Sequence, residues 1–141
     1  MGAIACKAES VALRVLIVDD NVSFLHVARA VLEREGVAVA GVASNVSDAL
    51  REAEQLPLDV VLVDITLAGE SGFELARCLA EQNRNRDGDM AVILISTRAE
   101  ADFADLIAES PARAFLPKSE LSADAIHRIL DDQSRLGAPR A

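Results

Sequence analysis

The sequence has 141 residues, of which 23 are acidic and 14 basic, and a formal net charge of −9. This length predicts one domain, and an apolar fraction of 51% argues against a disordered chain. The acidic excess and the lack of Trp and Tyr argue against direct nucleic-acid binding, since phosphates select basic patches and bases stack on aromatic rings. No apolar run approaches the ~18 residues of a membrane span, so we expect a cytoplasmic protein without membrane contact.

Short apolar runs, rich in Val, Ile and Leu, punctuate the chain. They are too short for globular helices, and the first, third and fourth lack the apolar–polar alternation of half-exposed strands. This pattern is typical of parallel strands that are covered on both faces. In chain order the predicted strands are residues 14–18, 37–42, 59–63, 91–95 and 112–116.

The segments between these runs carry helix signals. The first places apolar residues at helical spacing and is followed by Gly36, a plausible stop. The second opens with Asn45 as a cap, and Ser71-x-x-Glu74 and Thr97-x-x-Glu100 are capping-box patterns. The predicted helices are residues 20–35, 45–56, 71–83, a segment that begins at Thr97 and carries Phe103, Leu106 and Ile107, and residues 122–133.

Strict alternation of five strands with five helices predicts an α/β fold with an open parallel sheet and helices on both faces. We assign residues 13–133 to this domain and residues 1–12 to an N-terminal extension. Residues 134–141 hold Gly137 and Pro139 and are interpreted as a tail or a truncated linker.

Reactive side chains follow four of the predicted strands, at the sheet edge where ligands of such folds bind. Crowded carboxylates repel one another, so this cluster calls for a cation, and Mg²⁺ suits carboxylate ligands. A hydroxyl and an ammonium nearby would supply donors to a phosphoryl group, which predicts a carboxylate nucleophile attacking phosphorus. The residues are Asp19 and Asp20 after the first strand, Asp64 after the third, Ser96 and Thr97 after the fourth, and Lys118 after the fifth.

In this order the residues resemble the receiver domain of two-component response regulators. The loop from Asp64 to Gly72 and the segment 115–121 resemble that family's phosphorylation loop and fifth-strand exit, and the resemblance spans roughly residues 13–133. It implies a doubly wound, flavodoxin-like sheet of strand order 2-1-3-4-5. It also implies that Asp64 accepts a phosphoryl group from the phosphohistidine of a sensor histidine kinase or a histidine phosphotransfer protein. Such a chain is not a conventional enzyme, since it catalyses its own phosphorylation and dephosphorylation.

The resemblance further implies a magnesium site. Asp20 is expected to bind Mg²⁺ directly and Asp19 partly through water. Asp64 and the backbone carbonyl of Thr66 would complete the protein's ligands.

The remaining roles concern catalysis and switching. Beside Asp64, Ser96 would hydrogen-bond a phosphoryl oxygen, and Lys118 would pair with Asp64 or the phosphoryl group. Phe115 would occupy the family's aromatic switch position and turn inward as the Ser96 loop closes. Gly72 would allow a backbone geometry that other residues resist.

The sequence departs from the family pattern at several positions. Leu67-Ala68 stands where many members have Met-Pro. Ser119 follows Lys118 where many members have Pro after a cis bond, and a cis bond before Ser119 would cost about 3 kcal/mol. Thr66 and Arg98 occupy variable positions, and we hypothesise that they flank the path of an attacking water and set the rate of self-dephosphorylation. Alternatively, both are simply exposed loop side chains.

The expected output face consists of the helix near residues 101–109, the fifth strand and the last helix. It would serve self-dimerisation or docking to an effector or output domain. Three other functions stay open: a receiver-like interaction module that is never phosphorylated, a small phosphohydrolase with an Asp nucleophile, and a flavodoxin-like cofactor carrier. The hydrolase would call for D-x-D where Asp19 and Asp20 are adjacent, and acids after the first strand would repel a cofactor phosphate.

Overall fold

The computed structural model describes residues 12–67, 69–84 and 90–140, with side chains as far as residue 131. Its main sheet consists of β1 (Arg14–Val18), β2 (Ala38–Ala43), β3 (Val60–Asp64), β4 (Ala91–Ser96) and β5 (Ala114–Pro117). These strands are parallel and lie in the order β2-β1-β3-β4-β5, so the expected order 2-1-3-4-5 is confirmed. β1 has its predicted bounds, and the other strands are shifted or extended by one or two residues.

Helices cover both faces of the sheet, as predicted. Along one face, α2 and α3 pack on alternate strand residues, and partly buried side chains from the segment after β4 join them. On the other face, α1 and α5 pack on the remaining strand residues. All residues of β3 and β4 are buried, which accounts for their continuous apolar sequences. The helices are α1 (Val22–Arg34), α2 (Val46–Gln55), α3 (Gly72–Arg84), α4 (Ala104–Glu109) and α5 (Ala123–Arg140).

Several predicted helix ends are confirmed by hydrogen bonds. The Asn45 side chain accepts from the Asp48 N–H at 2.8 Å, and Ser71 Oγ accepts from the Glu74 N–H at 3.4 Å. At the end of α1, the Gly36 N–H donates to the Glu33 carbonyl at 3.1 Å. Short polar side chains and glycine therefore set these boundaries as their sequence patterns indicate.

The prediction of a helix that begins at Thr97 is wrong. A 3₁₀ turn (Glu100–Phe103) precedes α4, its N-cap is Ala99, and no side chain caps it. Instead, Ser96 Oγ accepts from the Arg98 N–H at 3.0 Å. This local turn competes with helix initiation, so the capping-box pattern is overridden.

The last helix is longer than predicted, because α5 continues to Arg140 and includes Gly137 and Pro139. These residue types disfavour a helix without forbidding one. The expected N-terminal extension lies outside the described residues apart from residue 12. The bond between Lys118 and Ser119 is trans, like every peptide bond in the part of the chain that the structure describes.

Two side-chain contacts organise the connections between elements. The Asn83 amide donates to the Met90 carbonyl and accepts from the Met90 N–H, both at 3.2 Å, and so joins the end of α3 to the start of β4. Glu70 Oε1 accepts from the Val46 N–H at 3.0 Å and joins the segment after β3 to the start of α2. Within the described residues, no helix is long and apolar enough to cross a membrane.

A small antiparallel hairpin follows β3 and was not predicted. It pairs Thr66–Leu67 with Glu70–Ser71 and leads into α3 at Gly72. The Gly72 N–H donates to the Ile65 carbonyl at 2.8 Å. A Cβ at residue 72 would overlap the Asp64 carbonyl oxygen and lie 2.8 Å from the Ile65 Cα. Residue 72 therefore has to be glycine because the backbone of Asp64 and Ile65 lies too close for a side chain. A left-handed backbone is not the reason, since Gly72 does not have a positive φ.

Replacing Gly72 with Ala should lower the free energy of unfolding by about 3 kcal/mol, because the methyl group would displace the backbone of Asp64. Helix propensity acts in the opposite direction, since Ala is favoured over Gly by about 1 kcal/mol. Gly69→Ala is the matched control: Gly69 has a φ of +75° but no atom within 4 Å of an added Cβ. Gly69→Ala should lower the free energy of unfolding by only about 1 kcal/mol, which is the cost of placing Ala in a left-handed backbone conformation. Urea unfolding followed by circular dichroism measures both, and equal losses would contradict the steric explanation.

Candidate functional site

A cavity of about 400 Å³ opens at the carboxyl edge of the sheet. It brings together the reactive residues that the sequence places after four strands. A larger cavity, of about 480 Å³, lies beside α3 and the end of α4, but Glu74 and Glu81 in its lining are exposed and pair with Arg77 and Arg84 of the same helix. The edge cavity is lined by Asp19, Asp20, Asn21, Asp64, Thr66, Ser96, Thr97, Arg98 and Lys118.

Three carboxylates meet in this cavity because β1 and β3 are neighbouring parallel strands. Asp19 and Asp20 follow β1, and Asp64 is the last residue of β3. One oxygen from each lies within 4.8 Å of the others. Asp19 and Asp64 are buried, whereas Asp20 is exposed to the opening. Several hard oxygen donors facing one point fit a Mg²⁺ or Ca²⁺ ion.

Lys118 supplies the opposite charge from the end of β5. Its Nζ lies 2.5 Å from Asp19 Oδ2 and 3.7 Å from Asp64 Oδ2, so the ammonium contacts both carboxylates and Asp19 more closely. The Lys118 side chain is only 10% exposed. Asp19 is held from its other side as well, because its Oδ1 accepts from the Asn21 N–H at 2.8 Å.

The Asp64 carboxyl is harder to ionise than an ordinary aspartate. Burial, followed by the negative charge of Asp19, raises the pKa of Asp64 from 3.8 to about 6. The Lys118 ammonium and the Thr66 N–H, which donates to Asp64 Oδ1 at 3.4 Å, oppose this increase. A positive ion at the carboxylates would lower this pKa, so cation binding and ionisation of Asp64 are coupled.

Ser96 and Arg98 lie on the far wall of the cavity. Ser96 is buried at the end of β4, with its hydroxyl already accepting from the Arg98 N–H. The Arg98 side chain is directed along the 3₁₀ turn: its Nε lies 3.6 Å from Asp102 Oδ2, and its guanidinium carbon lies 5.4 Å from the centre of the Phe103 ring. Arg98 is therefore held by the segment that follows Ser96.

Phe115 lies in β5 opposite Leu94 and is 9% exposed. Its side chain belongs to the apolar cluster against which Phe103 and Ile107 pack. The Phe115 ring is therefore directed into the core in this structure.

Two residues at the site were not predicted from the sequence: Asn21, whose N–H donates to Asp19, and Phe24. Phe24 makes the less expected contact. Its ring lies beneath the Lys118 ammonium, with Nζ 4.4 Å from the ring centre. In the sequence it is one of several apolar residues at helical spacing in α1, a pattern that indicates only core packing. Contact with Lys118 depends on the position of β5, which no local signal encodes.

Asp64→Asn should stabilise the metal-free protein at about pH 8 by about 3 kcal/mol. With an ordinary pKa of 3.8 in the unfolded chain and about 6 in the folded one, Asp64 holds its proton more tightly when folded. Stability therefore falls as the pH rises through this window and stays lower above it, whereas Asn cannot ionise. Thermal unfolding in a chelator should show this difference shrinking toward about pH 4.

Asp105→Asn is the matched control, since Asp105 is exposed on α4 and should show little difference at either pH. A less stable Asp64→Asn protein at the higher pH would mean that the attraction of Lys118 outweighs the burial of Asp64.

The chain resembles proteins of known class along most of its length. A family model described as the response regulator receiver domain matches residues 15–131. Response regulator GacA of Pseudomonas viridiflava is 27% identical over 118 residues, which cover 83% of this chain and 53% of the relative. Response regulator UvrY of Escherichia coli K12 is also 27% identical over 118 residues, covering 83% and 52%. The chain thus spans about half the length of the curated relatives it matches.

A solved structure with the same fold is that of a response regulator from Burkholderia pseudomallei, crystallised with a phosphorylated aspartic acid, a calcium ion and citrate. It is 26% identical, covers 92% of this chain and 73% of its own, and has a TM-score of 0.73. The sheet order, the reactive residues at its carboxyl edge and the match over residues 15–131 agree. The chain therefore belongs to the receiver-domain family of two-component response regulators.

Proposed function

We propose that this chain is a phosphoacceptor whose Asp64 takes a phosphoryl group from the phosphohistidine of a sensor histidine kinase or a histidine phosphotransfer protein. The observation that carries the proposal is the meeting of Asp19, Asp20 and Asp64 with the Lys118 ammonium in one cavity. The phosphorylated aspartic acid of the related Burkholderia protein supports it. We expect these partners to meet the chain in the cytoplasm.

The transfer would form a bond between an Asp64 carboxylate oxygen and phosphorus while the bond from phosphorus to the histidine nitrogen breaks. Negative charge on the transferring oxygens needs nearby donors. Lys118 lies 3.7 Å from Asp64 Oδ2, and the Ser96 hydroxyl lines the same cavity. Neutralisation of this charge is their proposed role.

The carboxylates and the backbone carbonyl of Thr66 are the proposed magnesium ligands. The chemistry of this oxygen donor set fits the ion, and the related Burkholderia structure contains calcium. A bound Mg²⁺ would supply positive charge beside the attacking and equatorial oxygens. Asp20, exposed at the opening, is the proposed direct ligand, and Asp19, already paired with Lys118, is the proposed ligand through water.

The switch would act through the segment after Ser96. A phosphoryl group on Asp64 adds charge and acceptor oxygens, toward which Ser96 and Lys118 can move. The 3₁₀ turn and α4 would follow, and the inward position of Phe115 would be favoured. This is a shift between two packings and not a new fold.

The proposed output face combines α4, β5 and α5. Leu106 on α4 is 51% exposed there. We propose that this face serves homodimerisation or an effector or output domain. Any nucleic-acid binding would belong to such a partner and not to the receiver itself.

Acetyl phosphate with Mg²⁺ should add one phosphoryl group to the chain, measured by intact-protein mass spectrometry. Asp64→Asn should abolish this addition, because the nucleophile is lost, and Asp20→Asn or a chelator should slow it at least about tenfold. The exposed Asp105→Asn variant is the control and should be modified at the parent rate. If the parent protein stays unmodified and its amide NMR spectrum does not change on addition of beryllofluoride with Mg²⁺, the result would favour an interaction module that is never phosphorylated.

Thr66→Ala and Arg98→Ala should each speed the loss of the phosphoryl group about threefold, because smaller side chains open the path of water to Asp64. Both side chains are exposed at the mouth of the cavity. Decay after removal of acetyl phosphate gives the rate. Unchanged decay in both variants would mean that they are ordinary exposed loop side chains.

A further inference from the structure

The Lys118 ammonium is enclosed on two sides by groups of different chemistry. Asp19 Oδ2 lies 2.5 Å from Nζ, and the face of the Phe24 ring lies beneath it with 4.4 Å between Nζ and the ring centre. This distance is well within the range of a cation–π interaction. With the side chain only 10% exposed, the ring takes up space beside the ammonium that water would otherwise occupy.

One short turn fixes both of these groups. The Asn21 N–H donates to Asp19 Oδ1 at 2.8 Å, and Asn21 Oδ1 accepts from the Phe24 N–H at 3.1 Å. The N-cap of α1 thus holds the carboxylate and the ring in a set relation to each other. The ammonium enters between them from the end of β5.

We propose that Phe24 is a positioning residue for Lys118. Its ring keeps the ammonium in place and sparsely hydrated, with one side turned to Asp64, whose Oδ2 is 3.7 Å away. An ammonium with few water partners attracts an incoming oxygen more strongly, because little solvent screens its charge. The effect on phosphorylation rests on the proposed function, whereas the contact between ring and ammonium does not.

The competing explanation is apolar packing alone. Phe24 is partly buried against the apolar cluster formed by α1, α5 and the strands. Leucine would fill much of the same space but has no π-face, and tyrosine keeps the π-face. A comparison of Phe24→Leu with Phe24→Tyr therefore separates the two roles.

The contact can be tested by NMR because the chain has only two lysines, Lys7 and Lys118. In protein labelled with ¹³C-lysine, the ring current of Phe24 should move the Lys118 ε-methylene signal upfield, and a Lys7→Arg variant assigns it. Phe24→Leu should return this signal to the ordinary lysine position, and Phe24→Tyr should keep it upfield. A signal that is unmoved by Phe24→Leu would overturn the contact.

The consequence can be tested by the rate of modification with acetyl phosphate and Mg²⁺. Phe24→Leu should slow it about fivefold and Phe24→Tyr less than about twofold, with the apparent Mg²⁺ affinity unchanged in both. Ile129→Val is the matched control, because Ile129 packs on the same cluster from α5. Its rate should match the parent rate.

The outcomes separate the two proposals. The positioning role is wrong if Ile129→Val slows modification as much as Phe24→Leu does, or if Phe24→Tyr is as slow as Phe24→Leu. Either result would mean that apolar packing alone explains the effect of Phe24. If the parent protein is not modified at all, the phosphoacceptor proposal fails, while the NMR result still decides whether Phe24 holds the ammonium.

Discussion

The pairing of the Lys118 ammonium with the buried Asp19 carboxylate is the interaction on which the site depends. Two buried carboxylates at the ends of adjacent strands would repel each other, and burying both as ions is costly without a compensating charge. The ammonium belongs to Lys118 at the end of β5. In the sheet, β3 and β4 lie between β5 and β1. One side chain therefore joins opposite parts of the sheet edge, and the arrangement of the carboxylates around it depends on the position of β5.

This pairing also makes the two buried carboxylates unequal. Asp19 has the ammonium at 2.5 Å and a backbone N–H at 2.8 Å, so its oxygens are already engaged. Asp64 is 3.7 Å from the same ammonium and accepts a long hydrogen bond, at 3.4 Å, from the Thr66 N–H. Burial and the Asp19 charge raise the pKa of Asp64. The two buried carboxylates therefore differ in how closely the ammonium approaches them.

The meeting of Asp19, Asp20, Asp64, Ser96 and Lys118 could be predicted from the sequence, because a parallel sheet brings the carboxyl ends of its strands to one edge. Asp64 and Lys118 lie at that edge whichever strand bounds are chosen, so small errors in those bounds were harmless. Thr97 was misjudged because a capping pattern says nothing about a neighbour, Ser96, that offers the backbone another turn. The contact of Phe24 was beyond local patterns, since Lys118 is distant in sequence. The steric role of Gly72 depends on how the hairpin after β3 brings residue 72 back to the backbone of Asp64.

The paired hydrogen bonds between Asn83 and Met90 have a practical consequence. They join the end of α3 to the start of β4, so the separation of Asn83 and Met90 is held by this contact whatever the length of chain between them. Loop-closure entropy grows slowly with length, so added residues at such a junction are tolerated. Met90 directly precedes β4, at the amino end of that strand and on the opposite edge of the sheet from Asp64. A reporter peptide inserted between Asn83 and Met90 should therefore leave the carboxylates undisturbed.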